Sequence, residues 1–184
     1  MRFTRSLLVC ACLVASSAFA QSHGLKVTSA DVHEGGRIAA AYVFNGMGCT
    51  GTNLSPELQW SGTPAGTKSF AVTAYDPDAP TGSGWWHWVV YNIPANVTRL
   101  ERGAGSANGN LPAGATQGNT DFGQPGYGGP CPPPGDKPHH YIFTVFALDT
   151  DKLDVPASAT AAYVGFNLHA HTIAKGKLTA LYSR

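Results

Sequence analysis

Two short segments of the 184-residue chain concentrate the side chains that could do chemistry. In the first, Asp76-Pro77-Asp78-Ala79-Pro80 runs through Thr81-Gly82-Ser83-Gly84 into Trp85-Trp86-His87-Trp88. In the second, Gly128-Gly129-Pro130-Cys131-Pro132-Pro133-Pro134-Gly135 leads to His139-His140-Tyr141. Carboxylates beside imidazoles offer three chemistries. A carboxylate fixes a histidine tautomer and raises its pKa, so that an imidazolium can receive an anion. The same pairing can serve as the general base of a hydrolase through His87 or His139. By type alone, Asp76, Asp78, His87 and His139 would also suffice to hold zinc or iron. Each segment has a plainer reading as well. Asp-Pro-Asp-Ala-Pro makes a rigid turn whose aspartates satisfy local amides, and Trp85, Trp86 and Trp88 serve a core as readily as a binding platform. The hydrolase reading is the weakest, because the chain lacks G-x-S-x-G and an obvious serine or cysteine nucleophile beside the histidines.

These residues lie where strands are expected to end. Residues 37–44, 68–75, 86–93 and 140–148 are short, rich in β-branched and aromatic residues, and bounded by Gly, Pro, Asn or Asp. Residues 69–75 and 141–148 are apolar on both faces, which suits strands covered on both sides. A mainly β fold follows, a sandwich of two antiparallel sheets. An antiparallel pair joined after Pro80 would gather Asp76, Asp78 and His87 at one end of a sheet. Strand alternation puts His139 and Tyr141 on one face and His140 on the other. Between the third and fourth strands, residues 103–138 form a long Gly/Pro-rich stretch of the kind that is usually functional or disordered; order is expected in its second half, 121–138. Two short C-terminal helices complete the reading. One starts at Pro156; the other spans 166–175, with Phe166, Ala170 and Ile173 on one face and Gly176 as its stop. His169 and His171, at i and i+2, read as surface or packing residues rather than ligands.

The N-terminus bounds the compartment. Arg2 and Arg5 precede an apolar run over residues 7–14, and Ala18-Phe19-Ala20 closes it, the three parts of a signal peptide. The run falls short of the roughly 20 residues that span a bilayer. Residues 1–20 are therefore read as a signal peptide and 21–184 as one domain, periplasmic or secreted, with no transmembrane segment after cleavage. Losing two of twelve basic and none of eleven acidic residues leaves a formal charge of 10 − 11 = −1. A near-neutral chain without a basic run argues against nucleic acid as a partner. Cys10 and Cys12 leave with the leader, so Cys49 and Cys131 remain in an oxidising compartment. A disulfide between them is expected, free thiols being the alternative. No cofactor is called for.

Taken together, Asp76-Pro77-Asp78-Ala79-Pro80 with Trp86-His87-Trp88, and Gly129-Pro130-Cys131-Pro132-Pro133-Pro134-Gly135 before His139-His140-Tyr141, resemble the phosphatidylethanolamine-binding protein family, and most of all its bacterial Raf-kinase-inhibitor-like branch. The resemblance runs from about residue 26 to 184 and includes Asn53-Leu54-Ser55-Pro56, Trp60 and the run from Pro64 to Phe70. A cysteine before Asn53 and one in the proline loop make the chain similar to the periplasmic members. The resemblance implies two antiparallel sheets and a small surface cavity that takes phosphate, acetate or a phosphoethanolamine head group. Its lining would be Asp76, Asp78, Pro80, Trp85, His87, Gly129, Pro132, His139 and Tyr141. His139 and Tyr141 would donate to the anion, and Asp76 and Asp78 would orient and charge the imidazoles. The implied role is a binding module acting on a small anion or a protein partner, rather than an enzyme. The chain departs from animal members at Thr81-Gly82-Ser83-Gly84, at Cys131 and over residues 166–184, so no tail residue is carried over as a lid.

Overall fold

The runs that are apolar on both faces end up side by side at the middle of one sheet. The computed structural model describes residues 24–184. The signal-peptide expectation for residues 1–20 lies outside them. Strands β5 (Ser69–Asp76), β6 (Trp85–Pro94) and β9 (His139–Leu148) are neighbours in a five-stranded antiparallel sheet. It is completed by β8 (Thr116–Gln117) beside β6 and β10 (Thr172–Tyr182) beside β9, giving the order β10-β9-β5-β6-β8. A second antiparallel sheet, in the order β1-β4-β7, consists of β1 (Lys26–Thr28), β4 (Leu58–Ser61) and β7 (Arg99–Leu100). The remaining strands, β2 (Asn45–Gly46) and β3 (Cys49–Thr50), form a small hairpin.

Burial explains the layering. Phe70, Val72, Trp88, Phe143 and Val145 on one face of the large sheet share a core with Val27, Leu58, Trp60 and Leu100 of the small one. Trp60 and Phe70 meet there with ring centroids 5.3 Å apart. On the opposite face Ala71, Val89 and Tyr91 pack against Ala161, Val164 and Leu168 of the one helix among the described residues, α1 (Ala161–His171). With both faces covered, the central strands have no solvent side on which to alternate, hence their continuous apolar character.

The C-terminal region corrects the expectation of two helices. Thr160 caps α1 by accepting the amide of Tyr163, so the helix starts well after Pro156. It ends at His171, and the next eleven residues pair with β9 as β10. There Gly176, Leu178 and Ala180 are buried while Lys175 and Lys177 are exposed, a period of two that overrides the weak helical pattern. Gly176 is not a stop: a Cβ there would lie 2.2 Å from the carbonyl oxygen of Leu25, so its bare backbone lets the N-terminal strand cross closely. The face formed by Phe166, Ala170 and Ile173 is exposed, and the buried stripe of α1 runs through Ala161, Val164 and Leu168 instead.

Residues 37–44 do not form a strand either. Ile38 donates to Leu181 and Leu181 to Gly36, a short contact with the end of β10. A 3-10 turn at Ala40–Tyr42 then redirects the chain, and the amide of Phe44 bonds the carbonyl of Pro130. The backbone hydrogen bonds of this segment are thus shared among the end of β10, the proline-rich loop and residues 51–54, which accept or donate in place of a continuous sheet partner. No helix of the described residues is long and apolar enough to cross a membrane. The packing makes a contrast at α1 measurable by denaturant unfolding. Leu168→Ala, at a fully buried site, should cost about 2–5 kcal/mol, whereas Phe166→Ala, at a site 74% exposed, should change stability by about 0.5 kcal/mol or less.

Candidate functional site

The strands that carry the Asp and His residues all present the same end of the large sheet. Asp76 closes β5 and pairs with Trp85, which opens β6; β9 begins at His139 on the other side of β5. Asp76, Trp85, His87, His139 and Tyr141 together line a cavity of about 330 Å³. Pro80, Phe122 and Pro132–Pro134 add an apolar wall, and Met47, Cys131 and Arg184 stand around it. His139 and Tyr141 are buried while His140 is exposed, as strand alternation requires.

Asp76 serves both of the roles its sequence context suggested. Its Oδ1 accepts the amides of Asp78 at 2.8 Å and Ala79 at 3.1 Å, which shapes the turn. Its Oδ2 lies 2.8 Å from Nδ1 of His139, with both side chains at most 5% exposed. His139 Nε2 faces a second carboxylate, Asp136, at 3.4 Å. Burial works against the imidazolium, but the bond to Asp76 and the charges of Asp76 and Asp78, with the bond to Asp136, outweigh it and raise the His139 pKa above the ordinary histidine value.

His87 has the opposite balance. Burial pushes its pKa down, and the Gly128 carbonyl and the charge of Asp76 only partly offset this. Its Nδ1 lies 2.7 Å from the Gly128 oxygen. A neutral ring can make that bond only by donating from Nδ1, which leaves Nε2 without a proton. The ring is held edge-on by Phe122 and Tyr141, with centroids 5.4 Å and 5.1 Å away. One cavity therefore holds a charge-prone and a charge-averse histidine. Burial and the nearby Asp76 carboxylate also push the Tyr141 phenol up, so it keeps its proton. Its Oη comes close to Asp76 but makes no hydrogen bond, and Nε1 of Trp85 is likewise buried without a partner.

Two residues expected in the lining lie elsewhere. Asp78 turns away from the cavity: its Oδ2 accepts the backbone amide of His140 at 2.8 Å and faces the His140 ring at 2.7 Å. Partial burial opposes its ionisation, but these bonds outweigh it and lower its pKa. Asp78 thus fastens the turn to the start of β9, on the face that alternation assigns to His140. Gly129 lies behind the wall; its amide donates to Oδ1 of Asn53 at 2.7 Å, and a Cβ there would lie 2.1 Å from the Tyr42 carbonyl oxygen. With Asp78 elsewhere, the four-ligand metal set is not assembled. Among the described residues no group of three or more His, Cys, Asp or Glu is placed to hold a metal ion.

The structure adds Met47, Ala79, Thr81, Phe122, Pro134 and Arg184 to the lining, and places Cys131 and Pro133 there, within the 128–133 turn that the family resemblance implies as the rim. Phe122 stacks on Phe44 at 4.5 Å. Cys131 is disulfide-bonded to Cys49, as expected. Arg184 reaches the mouth because Tyr182 pairs with His139, and its Nε donates to the Pro132 carbonyl at 2.6 Å. Reading residues 166–175 as helix hid that placement. The strand alternation of residues 172–182 was the signal that could have found it.

Comparison with known proteins agrees with the fold. Residues 28–183 match the family described as phosphatidylethanolamine-binding protein. The UPF0098 protein YbcL of Escherichia coli is 52% identical over 179 residues, covering 97% of this chain and 98% of that one. YbhB of the same organism is 53% identical over 159 residues, covering 86% and 100%. The crystal structure of E. coli YbcL, described as a new member of the mammalian PEBP family, superposes with a TM-score of 0.85 at 55% identity, covering 88% of this chain and 99% of that one.

The opposed histidine environments are testable by NMR titration of the ring signals. His139 should titrate above the ordinary value of about 6.5 and His87 below it. In Asp76→Asn the His139 pKa should fall, because the bond and charge that raise it are removed. Because the folded-state pKa of His139 is raised, the stability it contributes is full below about pH 6.5 and is lost as pH rises through the folded value. The destabilisation caused by Asp76→Asn should accordingly be larger in mild acid than in mild alkali.

Proposed function

The chain belongs to the phosphatidylethanolamine-binding protein family, and on that premise we propose that it is an exported binding protein whose cavity takes a small anion, a phosphate or phosphoethanolamine-like group. The observation that carries this reading is a set of donors without acceptors. Trp85 Nε1 and Tyr141 Oη are buried and unpartnered, both residues line the cavity beside the charge-prone His139, and a buried donor left unpaired costs about 1–3 kcal/mol. An anion supplies acceptors for both. Arg184 adds positive charge at the rim, which offsets the repulsion that the Asp76 carboxylate would exert on such a ligand. The cavity volume, about 330 Å³, sits at the small end of the roughly 300–1,000 Å³ typical of small-molecule sites.

Binding fits these residues better than catalysis. Of the hydroxyl and sulfur groups in the lining, Thr81 donates to the Gly84 carbonyl, Cys131 is in the disulfide and Tyr141 holds its proton against burial. None is an activated nucleophile beside a basic histidine. The output of binding would then be an effect on a protein partner. Export is supported by the signal-peptide reading of residues 1–20 and by the disulfide, which oxidising compartments favour.

Calorimetric titration with sulfate, whose charge is constant across the neutral range, isolates the protein's own protonation. Because His139 has a raised pKa, affinity should be highest below that pKa and fall about tenfold per pH unit above it. Tyr141→Phe and Trp85→Phe should each weaken binding about tenfold, as expected for a lost hydrogen bond to a charged group. An affinity flat with pH, together with unchanged binding by both variants, would overturn the reading.

A further inference from the structure

The two carboxylates on His139 are held very differently. Asp76 is buried, and its oxygens are committed to two turn amides and to Nδ1 of His139. The Asp136 side chain is 41% exposed, and its only hydrogen bond among the described residues is the long one, 3.4 Å, to Nε2 of His139. Asp136 follows Gly135, which has a φ of 85° and lies in an exposed turn. With its side chain part-exposed, the Asp136 carboxylate borders solvent into which it can move.

Resting on the anion-binding reading above, we infer that Asp136 is an internal stand-in for the ligand: its carboxylate faces Nε2 of His139, and an anion that takes that nitrogen must displace it. Formal charges favour the exchange. With Asp136 in place, a protonated His139, Asp76 and Asp136 sum to +1 − 1 − 1 = −1. With Asp136 swung into solvent the pair left behind is neutral, and the Arg184 guanidinium stands at the rim. His87 contributes no charge, because burial keeps it neutral, and Asp78 is engaged by His140 outside the cavity. Asp76 cannot be the group that yields, since moving it would strand two turn amides and a buried imidazole.

A consequence for selectivity follows. A ligand must outbid a carboxylate at Nε2, so weakly accepting anions are excluded, while a sulfate or phosphate, with more oxygens to share between Nε2, Tyr141 and Trp85, is admitted. Asp136 is thus a specificity-determining residue that need not touch the bound ligand.

The test uses sulfate binding by the wild-type protein, Asp136→Ala and Asp136→Asn, at a pH where the NMR titration of each shows His139 protonated. Both variants should bind sulfate about five- to tenfold more tightly than wild type, given the partial exposure of the charge removed. In the wild type, sulfate should shift the His139 Nε2 signal, as its contact passes from Asp136 to the ligand. Sulfate binding by the variants alone would support the inference most strongly. Equal or weaker binding by both variants, with wild type still binding, would overturn it and leave the anion-binding reading intact. Failure of all three proteins to bind would overturn both.

Discussion

A carboxylate taken out of water must have its oxygens occupied, and at Asp76 that requirement organises one end of the protein. An isolated buried charge is far too costly to keep, so the fold supplies three donors from two segments. The amides of Asp78 and Ala79 come from the β5–β6 turn, and Nδ1 of His139 from the start of β9. The strand ends and the connecting turn are thereby fixed to one another by a single side chain. Everything else in the cavity is placed relative to that point. Trp85 is opposite Asp76 in register, His87 follows two residues on, and Tyr141 lies two residues beyond His139 on the same face.

The same constraint separates the two histidines. His139 gains a carboxylate partner and His87 only a carbonyl, that of Gly128. Burial acts against charge on both, so the partner decides the outcome, and the two pKa values move in opposite directions. The cavity therefore holds one imidazole inclined to charge and one kept neutral, rather than two like charges together. The aspartate that looks hostile to an anion is what creates the cation that would receive one.

How legible this was in the sequence depended on whether a signal was local. The central strands could be read because they are apolar on both faces, and the alternation that separates His140 from His139 and Tyr141 needs no tertiary information. Asp78 was misplaced because two residues along a turn cannot be assigned a direction from spacing; only the His140 ring, on the outer face of β9, explains where it points. Residues 172–182 were read partly as helix because Phe166, Ala170 and Ile173 mimic a helical stripe. Lys175 and Lys177 between Gly176, Leu178 and Ala180 carry the strand pattern that prevails once β9 offers a partner. That error hid Arg184, and Phe122 was hidden for a related reason: a loop residue acquires its neighbours only from the fold. The cysteines were a counterexample, since elimination alone left one pair to form.

A wall made of loop has to be held by links that reach across the chain, and three of them converge on residues 127–135. Asn53, in a left-handed conformation at φ 55°, donates to the Tyr127 carbonyl and accepts the Gly129 amide. The Cys49–Cys131 disulfide ties the loop to the β2–β3 hairpin across 82 residues of sequence. In the chain-entropy model a bond closing so long a loop contributes up to about 4–5 kcal/mol, by restricting the unfolded chain. Arg184 joins the same two segments without a covalent bond, through the carbonyls of Pro132 and Met47. The links differ in what they depend on. The disulfide needs an oxidising compartment, whereas the Asn53 and Arg184 contacts need only the folded chain. Gly128 lies between the anchored Tyr127 and Gly129, and its carbonyl sets the tautomer of His87. The proline-rich loop is therefore more than a rim. By fixing that one carbonyl it decides which nitrogen of His87 carries the proton, so the chemistry of a residue near the start of a strand is set by a segment with no regular structure of its own.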